Sequence, residues 1–186
     1  MKIAFVIYDG MTTLDFVGVY DPLTRLKTMG FRADVDWDTC AVASPVRDIA
    51  GLSLQPSRVR EPPGRYDMVV VPGGTGARRL VADAEFVEWL KTAGPCQWKV
   101  SVCTGALLLG AAGFLQGKTA TTHPGAREEL RPYVAAVSEA RIVDEGDVIT
   151  AGGVTASIDL GLYLCEKLAG KEVRERIQRQ MDYAGG

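Results

Sequence analysis

Three short segments hold side chains that could perform covalent or proton-transfer chemistry. The first is Ser101-Val102-Cys103-Thr104-Gly105-Ala106. A buried strand is expected to stop at Cys103 and a small-residue helix to follow. So abrupt a change of direction lifts one side chain above the sheet edge, and Gly105 and Ala106 are small enough to let strand and helix pack closely. This is the geometry of a nucleophile elbow, with sulfur in place of hydroxyl. At a helix N-terminus the thiol is expected below its usual pKa of about 8.5, with a larger thiolate fraction. The competing reading is a packed core cysteine, since free Cys is among the most buried residue types. The strand-to-helix junction favours the elbow for Cys103. Cys40, Cys96 and Cys165 have no such setting and read as core.

The second segment, Pro72-Gly73-Gly74-Thr75-Gly76, also follows a strand. It lacks the Gly-Lys-Ser/Thr ending of a phosphate loop and the spacing of GxGxxG. Gly73 and Gly74 could present bare N–H groups to a ligand, as an oxyanion hole requires, or could simply form a tight turn. The third is Asp15, between Leu14 and Phe16. A carboxyl in apolar surroundings has a raised pKa and can donate a proton near neutrality. A carboxylate resting on its own helix dipole is the alternative, and the stretch alone favours it. His123, before Pro124, is either a base for Cys103 or a hydrogen-bonded residue at the rim, the second slightly favoured. No basic clamp stands near these motifs.

Strand-then-helix order positions these residues. Strands are expected at Lys2–Tyr8, Ala33–Ala43, Asp67–Val71, Lys99–Val102 and Thr119–Thr122, with hairpins at Arg47–Gln55 and Arg141–Ala151. Met68-Val69-Val70-Val71 shows no alternation and reads as buried on both faces. Helices are expected near Asp15–Met29, where Pro22 should bend or restart the helix, and at Asp83–Thr92, Thr104–Ala112, Gly125–Leu130, Val154–Ala169 and Lys171–Tyr183. This order implies an α/β fold with a mainly parallel central sheet and helices on both faces. Two of the three segments then lie at C-terminal strand ends, where such sheets place their sites.

Composition narrows the function classes. The chain has 186 residues, 47% apolar and 24% charged, the balance of a folded globular protein. At this length one domain spanning 1–186 is expected. A net charge of −2 shows no basic excess for nucleic acid. No apolar run approaches the roughly 20 residues of a membrane span, and the N-terminus lacks a secretory pattern. Four cysteines without a CxxC pair and a single histidine argue against zinc ribbons and disulfide frameworks. Free thiols in a cytoplasmic protein are the expectation, with no metal and no cofactor.

Together these segments resemble the ThiJ/PfpI superfamily, whose members carry a class I glutamine amidotransferase-like, flavodoxin-type domain. The likeness also takes in Leu109–Leu115, Ala120-Thr121-Thr122-His123 and Ala151–Ala156. Thr104 after the cysteine, where the protease and amidase branch usually carries His, and Asp15 in the first loop make the chain most similar to the branch that hydrates isocyanides. That branch commonly continues Leu-Thr-Gly-Pro after the aspartate, whereas this chain has Phe16, Val17, Gly18 and Val19. It also has Pro124 where an aromatic is expected. The resemblance implies a lyase that converts a small apolar isocyanide to an N-substituted formamide through a Cys103 thioimidate. In it Asp15 is the proton partner, Thr104 and the Gly73 and Gly74 amides bind substrate, and the protein is a homodimer. Amidase or glyoxalase-like chemistry, or a cysteine sensor without turnover, are the alternatives. The Cys-Thr-Gly pattern also occurs in the sensor half of AraC-type regulators, whose helix-turn-helix region is not expected here.

Overall fold

The computed structural model describes residues 1–185. The apolar β-branched runs form strands β1 (Lys2–Val6), β2 (Asp36–Ala41), β3 (Val46–Arg47), β4 (Ser53–Leu54), β5 (Arg58–Val59) and β6 (Met68–Val71) in the first half. Strands β7 (Trp98–Val102), β8 (Thr119–Ala120), β9 (Ala136–Val137), β10 (Ile142–Asp144) and β11 (Val148–Ala151) follow. The helices are α1 (Thr13–Thr28), α2 (Thr75–Leu80), α3 (Ala84–Lys91), α4 (Gly105–Ala111), α5 (Arg127–Leu130), α6 (Ala156–Ala169) and α7 (Lys171–Gln180).

Seven strands make the central sheet in the order β10-β11-β7-β6-β1-β2-β5, and only β10–β11 is antiparallel. This is the expected α/β, flavodoxin-like architecture. Buried on both faces, β6 sits between β1 and β7, so the loops after β1, β6 and β7 meet at one sheet edge. The helices form two packed sets, α1 with α6 and α7, and α2 through α5. Among the described residues no helix is long and apolar enough to cross a membrane.

Two local expectations are corrected. Pro22 does not interrupt α1, which runs unbroken for 16 residues. Proline removes one N–H and crowds the carbonyl four residues earlier, here that of Gly18. This carbonyl faces the crossing helix instead: a Cβ on Gly161 would lie 2.9 Å from Gly18 O and 2.8 Å from Pro22 Cγ. The second correction is α2, a helical turn and a half that begins directly after the glycine loop.

Close approach of α1 and α6 requires small residues at their crossing. A Cβ on Gly18 would sit 2.7 Å from Ser157 Cβ, and Ser157 is fully buried with its hydroxyl donating to Val154 O (2.7 Å) and Leu14 O (3.1 Å). Gly18→Ala is therefore expected to destabilise the protein by about 2 kcal/mol, a fall of about 6 °C in Tm by calorimetry. An unchanged Tm would mean that the helices separate without penalty.

Candidate active site

At Cys103 the chain turns from strand to helix through a left-handed conformation, φ 56°. A side chain other than glycine is strained there by roughly 1–2 kcal/mol, so the surroundings must hold it. The Cys103 N–H donates to both Ala151 O (3.0 Å) and Gly152 O (2.9 Å), at the end of β11. The Thr122 hydroxyl donates to the Cys103 carbonyl (2.8 Å). Gly105 completes the turn, since a Cβ there would lie 2.7 Å from Pro72 O. The elbow expected at this position is present.

The charge state of its thiol differs from expectation. Cys103 is only 6% exposed. Burial, followed by the negative charge of Asp15, pushes the thiol up to about 12, against the opposing pull of the Thr104 N–H and hydroxyl. Desolvation outweighs the helix terminus, and the group at neutral pH is a thiol.

Asp15 supplies the complementary half. It lies in the first turn of α1 but does not cap that helix. Its carboxyl is fully buried, and Oδ2 accepts the Gly73 N–H (2.9 Å) across 58 residues of sequence. Oδ1 is buried with no N–H or O–H donor. Burial raises the carboxyl to about 6, while the Gly73 N–H and the Cys103 thiol, both donors to it, act to lower it. At pH 7 the pair is thus mainly a carboxylate beside a thiol, with one oxygen free to take the thiol proton. The reading of Asp15 as a carboxylate resting on its own helix dipole is set aside.

The amides expected to face a ligand are already engaged. Gly73 N–H holds Asp15, and Gly74 N–H donates to Thr104 Oγ1 (2.8 Å), whose hydroxyl returns a bond to Gly74 O (3.0 Å). Gly73 and Gly74 are therefore scaffold to the site and form no open oxyanion hole. The donor aimed at the reacting sulfur is the Thr104 N–H. His123 acts elsewhere: its Nδ1 accepts the Gly125 N–H (3.1 Å), and its ring lies against Gly153. Asp15 and Thr104 are the groups that shift Cys103, and His123 is not among them.

Three contributors are absent from the residue-level reading. Tyr8, buried just past β1, donates its hydroxyl to Pro72 O (2.7 Å) and steadies the glycine loop. Its place after a parallel strand was the available signal. Thr122 was read only as part of the motif before His123. Arg78 of α2 is the third, a cation whose pKa is raised first by its bond to Glu129 and, only when the thiol is ionised, by Cys103 as well. Glu129 holds that guanidinium in a two-pronged ion pair (2.7 and 2.8 Å). Among the described residues no group of three His, Cys, Asp or Glu side chains could hold a metal ion.

A thiol on a left-handed elbow above a parallel sheet, facing a buried carboxyl, defines a cysteine-centred α/β site. Residues 1–167 match the DJ-1/PfpI family, and the chain belongs to that family. It is 36% identical over 186 residues to isonitrile hydratase of Pseudomonas putida, spanning 99% of this chain and 79% of that protein. It is 37% identical over 120 residues to the Parkinson disease protein 7 homolog of Danio rerio, 62% of each chain. A solved ThiJ/PfpI family protein from Pseudomonas syringae superposes with a TM-score of 0.89 at 32% identity, covering 100% of this chain and 76% of that one.

Proposed function

We propose that the protein hydrates a small apolar isocyanide to an N-substituted formamide. The observation that carries this reading is the Cys103–Asp15 pair, a thiol beside a buried carboxylate whose Oδ1 has no other donor. The near full-length similarity to a protein named isonitrile hydratase supports it. The terminal carbon of an isocyanide must gain both a nucleophile and a proton. As Cys103 sulfur bonds to that carbon, Asp15 takes the thiol proton and passes it to the same carbon, giving a thioimidate, R–N=CH–S–Cys103. Water then adds to the C=N carbon, and its proton reaches nitrogen by way of Asp15. The C–S bond breaks, the hydroxyl proton returns to sulfur, and R–NH–CHO leaves. The Thr104 N–H offsets charge building on sulfur in each step.

The test is formamide production from an aryl isocyanide followed across pH. Cys103→Ala is expected to abolish it; wild-type rates in that variant would end the reading. Because the base is Asp15 with a pKa of about 6, kcat/KM should rise through pH 6 and stay level above it, the thiol remaining protonated until about 12. A rate unchanged from pH 7 to pH 5 would show that Asp15 is not the base.

A further inference from the structure

Tyr8 touches the thiol chemistry through one peptide unit. It lies in the loop after β1, buried, with its ring edge-on to Phe86 (5.8 Å between centroids) and its hydroxyl donating to Pro72 O (2.7 Å). The Pro72–Gly73 bond is trans, so its C=O and N–H point in opposite directions from one rigid plane. The N–H end is the one that donates to Asp15 Oδ2 (2.9 Å). This buried peptide is thus gripped at both ends, by a phenol on its oxygen and a carboxylate on its N–H. Its carbonyl also abuts the elbow, since a Cβ on Gly105 would lie 2.7 Å from Pro72 O. Burial, then the charges of Asp15 and Cys103, push the Tyr8 phenol well above its ordinary value, so it keeps its proton and remains a donor.

We propose that Tyr8 is a positioning residue of the thiol site: through the Pro72–Gly73 peptide it orients and strengthens the N–H that holds Asp15 Oδ2, keeping Oδ1 turned to Cys103. A hydrogen bond to a peptide oxygen draws electron density from the nitrogen, and linked bonds reinforce one another by roughly 10–30% each. The phenol also stops the plane from rotating, which would turn the N–H away from the carboxylate. Little else can compensate. Burial, the Gly73 N–H and the Cys103 thiol are what act on Asp15. From the neighbouring elements, the Thr104 hydroxyl is committed to Gly74 O, the Ser157 hydroxyl to Leu14 O and Val154 O, and Arg78 to Glu129. The use of this coupling in turnover rests on Asp15 being the proton carrier proposed above, whereas the coupling itself is measurable without substrate.

Carbon-detected NMR of the intact protein, following the Asp15 side-chain carboxyl across pH, tests the coupling. The midpoint of about 6 should rise by about half a pH unit in Tyr8→Phe, which removes the hydroxyl alone. Fluorinating the ring at position 8 makes a more acidic phenol and a stronger donor, and should move the midpoint down. Phe86→Leu loosens the packing of the same ring without touching the hydroxyl, so it should lower Tm and leave the midpoint in place. With an aryl isocyanide, kcat/KM of Tyr8→Phe at pH 6, relative to its own plateau, should be about twofold below that of the wild type. An unmoved midpoint in Tyr8→Phe, an equal rise in Phe86→Leu, or a rise on fluorination overturns the proposal. Should neither wild type nor variant make formamide while the midpoint shifts as stated, the isocyanide reading fails and the hold of Tyr8 over Asp15 stands.

Discussion

Asp15→Asn is expected to lower formamide turnover by about a thousandfold or more while making the protein more stable at neutral pH. The loss follows from removing the proton carrier, since positioned acid–base groups contribute roughly 10²–10⁴-fold. The gain follows from linkage. The carboxyl of Asp15 has an ordinary value of 3.8 and is raised to about 6 in the fold, so the native state holds its proton more tightly than the unfolded chain. Stability from this group is full below 3.8 and is lost as pH rises through 6, leaving the ionised carboxylate a burden of about 3 kcal/mol at pH 7 and above. Asn keeps an oxygen for the Gly73 N–H and removes the charge. A rise of about 9 °C in Tm at pH 7.5, shrinking to nothing by pH 4, is the expected signature. A lower Tm at both pH values would show that the carboxylate holds the fold together; retained turnover would show that another group moves the proton.

That opposition of stability and activity explains which features could be read from residue order. The strand Met68–Val71 and the elbow at Cys103 are local: an unbroken apolar run, and a strand that meets small residues. Both were legible. The pair that matters chemically is not local, because Asp15 and Gly73 meet only after β1 and β6 lie side by side. The same distance effect reversed the expectation for the thiol. A helix start argues for a lowered pKa from neighbours in sequence, but the desolvation that wins comes from the fold as a whole. For Asp15 the apolar neighbours Leu14 and Phe16 pointed to a raised carboxyl and the helix start to a dipole-stabilised one, and burial in the fold decides for the first. Gly73 and Gly74 were correctly marked as places of close approach, yet what approaches them is protein. Arg78 escaped notice because α2, with a Thr-Gly start and two arginines, has no apolar periodicity to announce a helix. Pro22 shows the converse, a strong local signal overridden by packing against Gly161.

Gly73→Ala tests the scaffold itself and should damage the thiol site although it adds a single methyl group. A Cβ at this position would lie 2.6 Å from Thr104 N, 2.7 Å from Thr104 Oγ1 and 2.8 Å from Asp15 Oδ2. None of these is the loose end of a long side chain. Thr104 N belongs to the elbow, its Oγ1 is tied to Gly74 in both directions, and Asp15 is buried. The new methyl group must therefore push the Thr104 N–H away from sulfur, or push the carboxylate away from the thiol, and either displacement removes a contact used in the reaction. Misplacing reacting groups by about 1 Å is enough for roughly a hundredfold loss, and overpacking of this kind destabilises by about 1–3 kcal/mol. Turnover is expected to fall at least about a hundredfold while circular dichroism still reports the folded protein at 25 °C. Gly113→Ala is the matching control: that glycine has φ +85° and nothing within 4 Å of a Cβ, so backbone strain of about 1 kcal/mol should lower Tm without changing the rate. If the two variants lost activity equally, the dense contact among Gly73, Thr104 and Asp15 would have no bearing on catalysis.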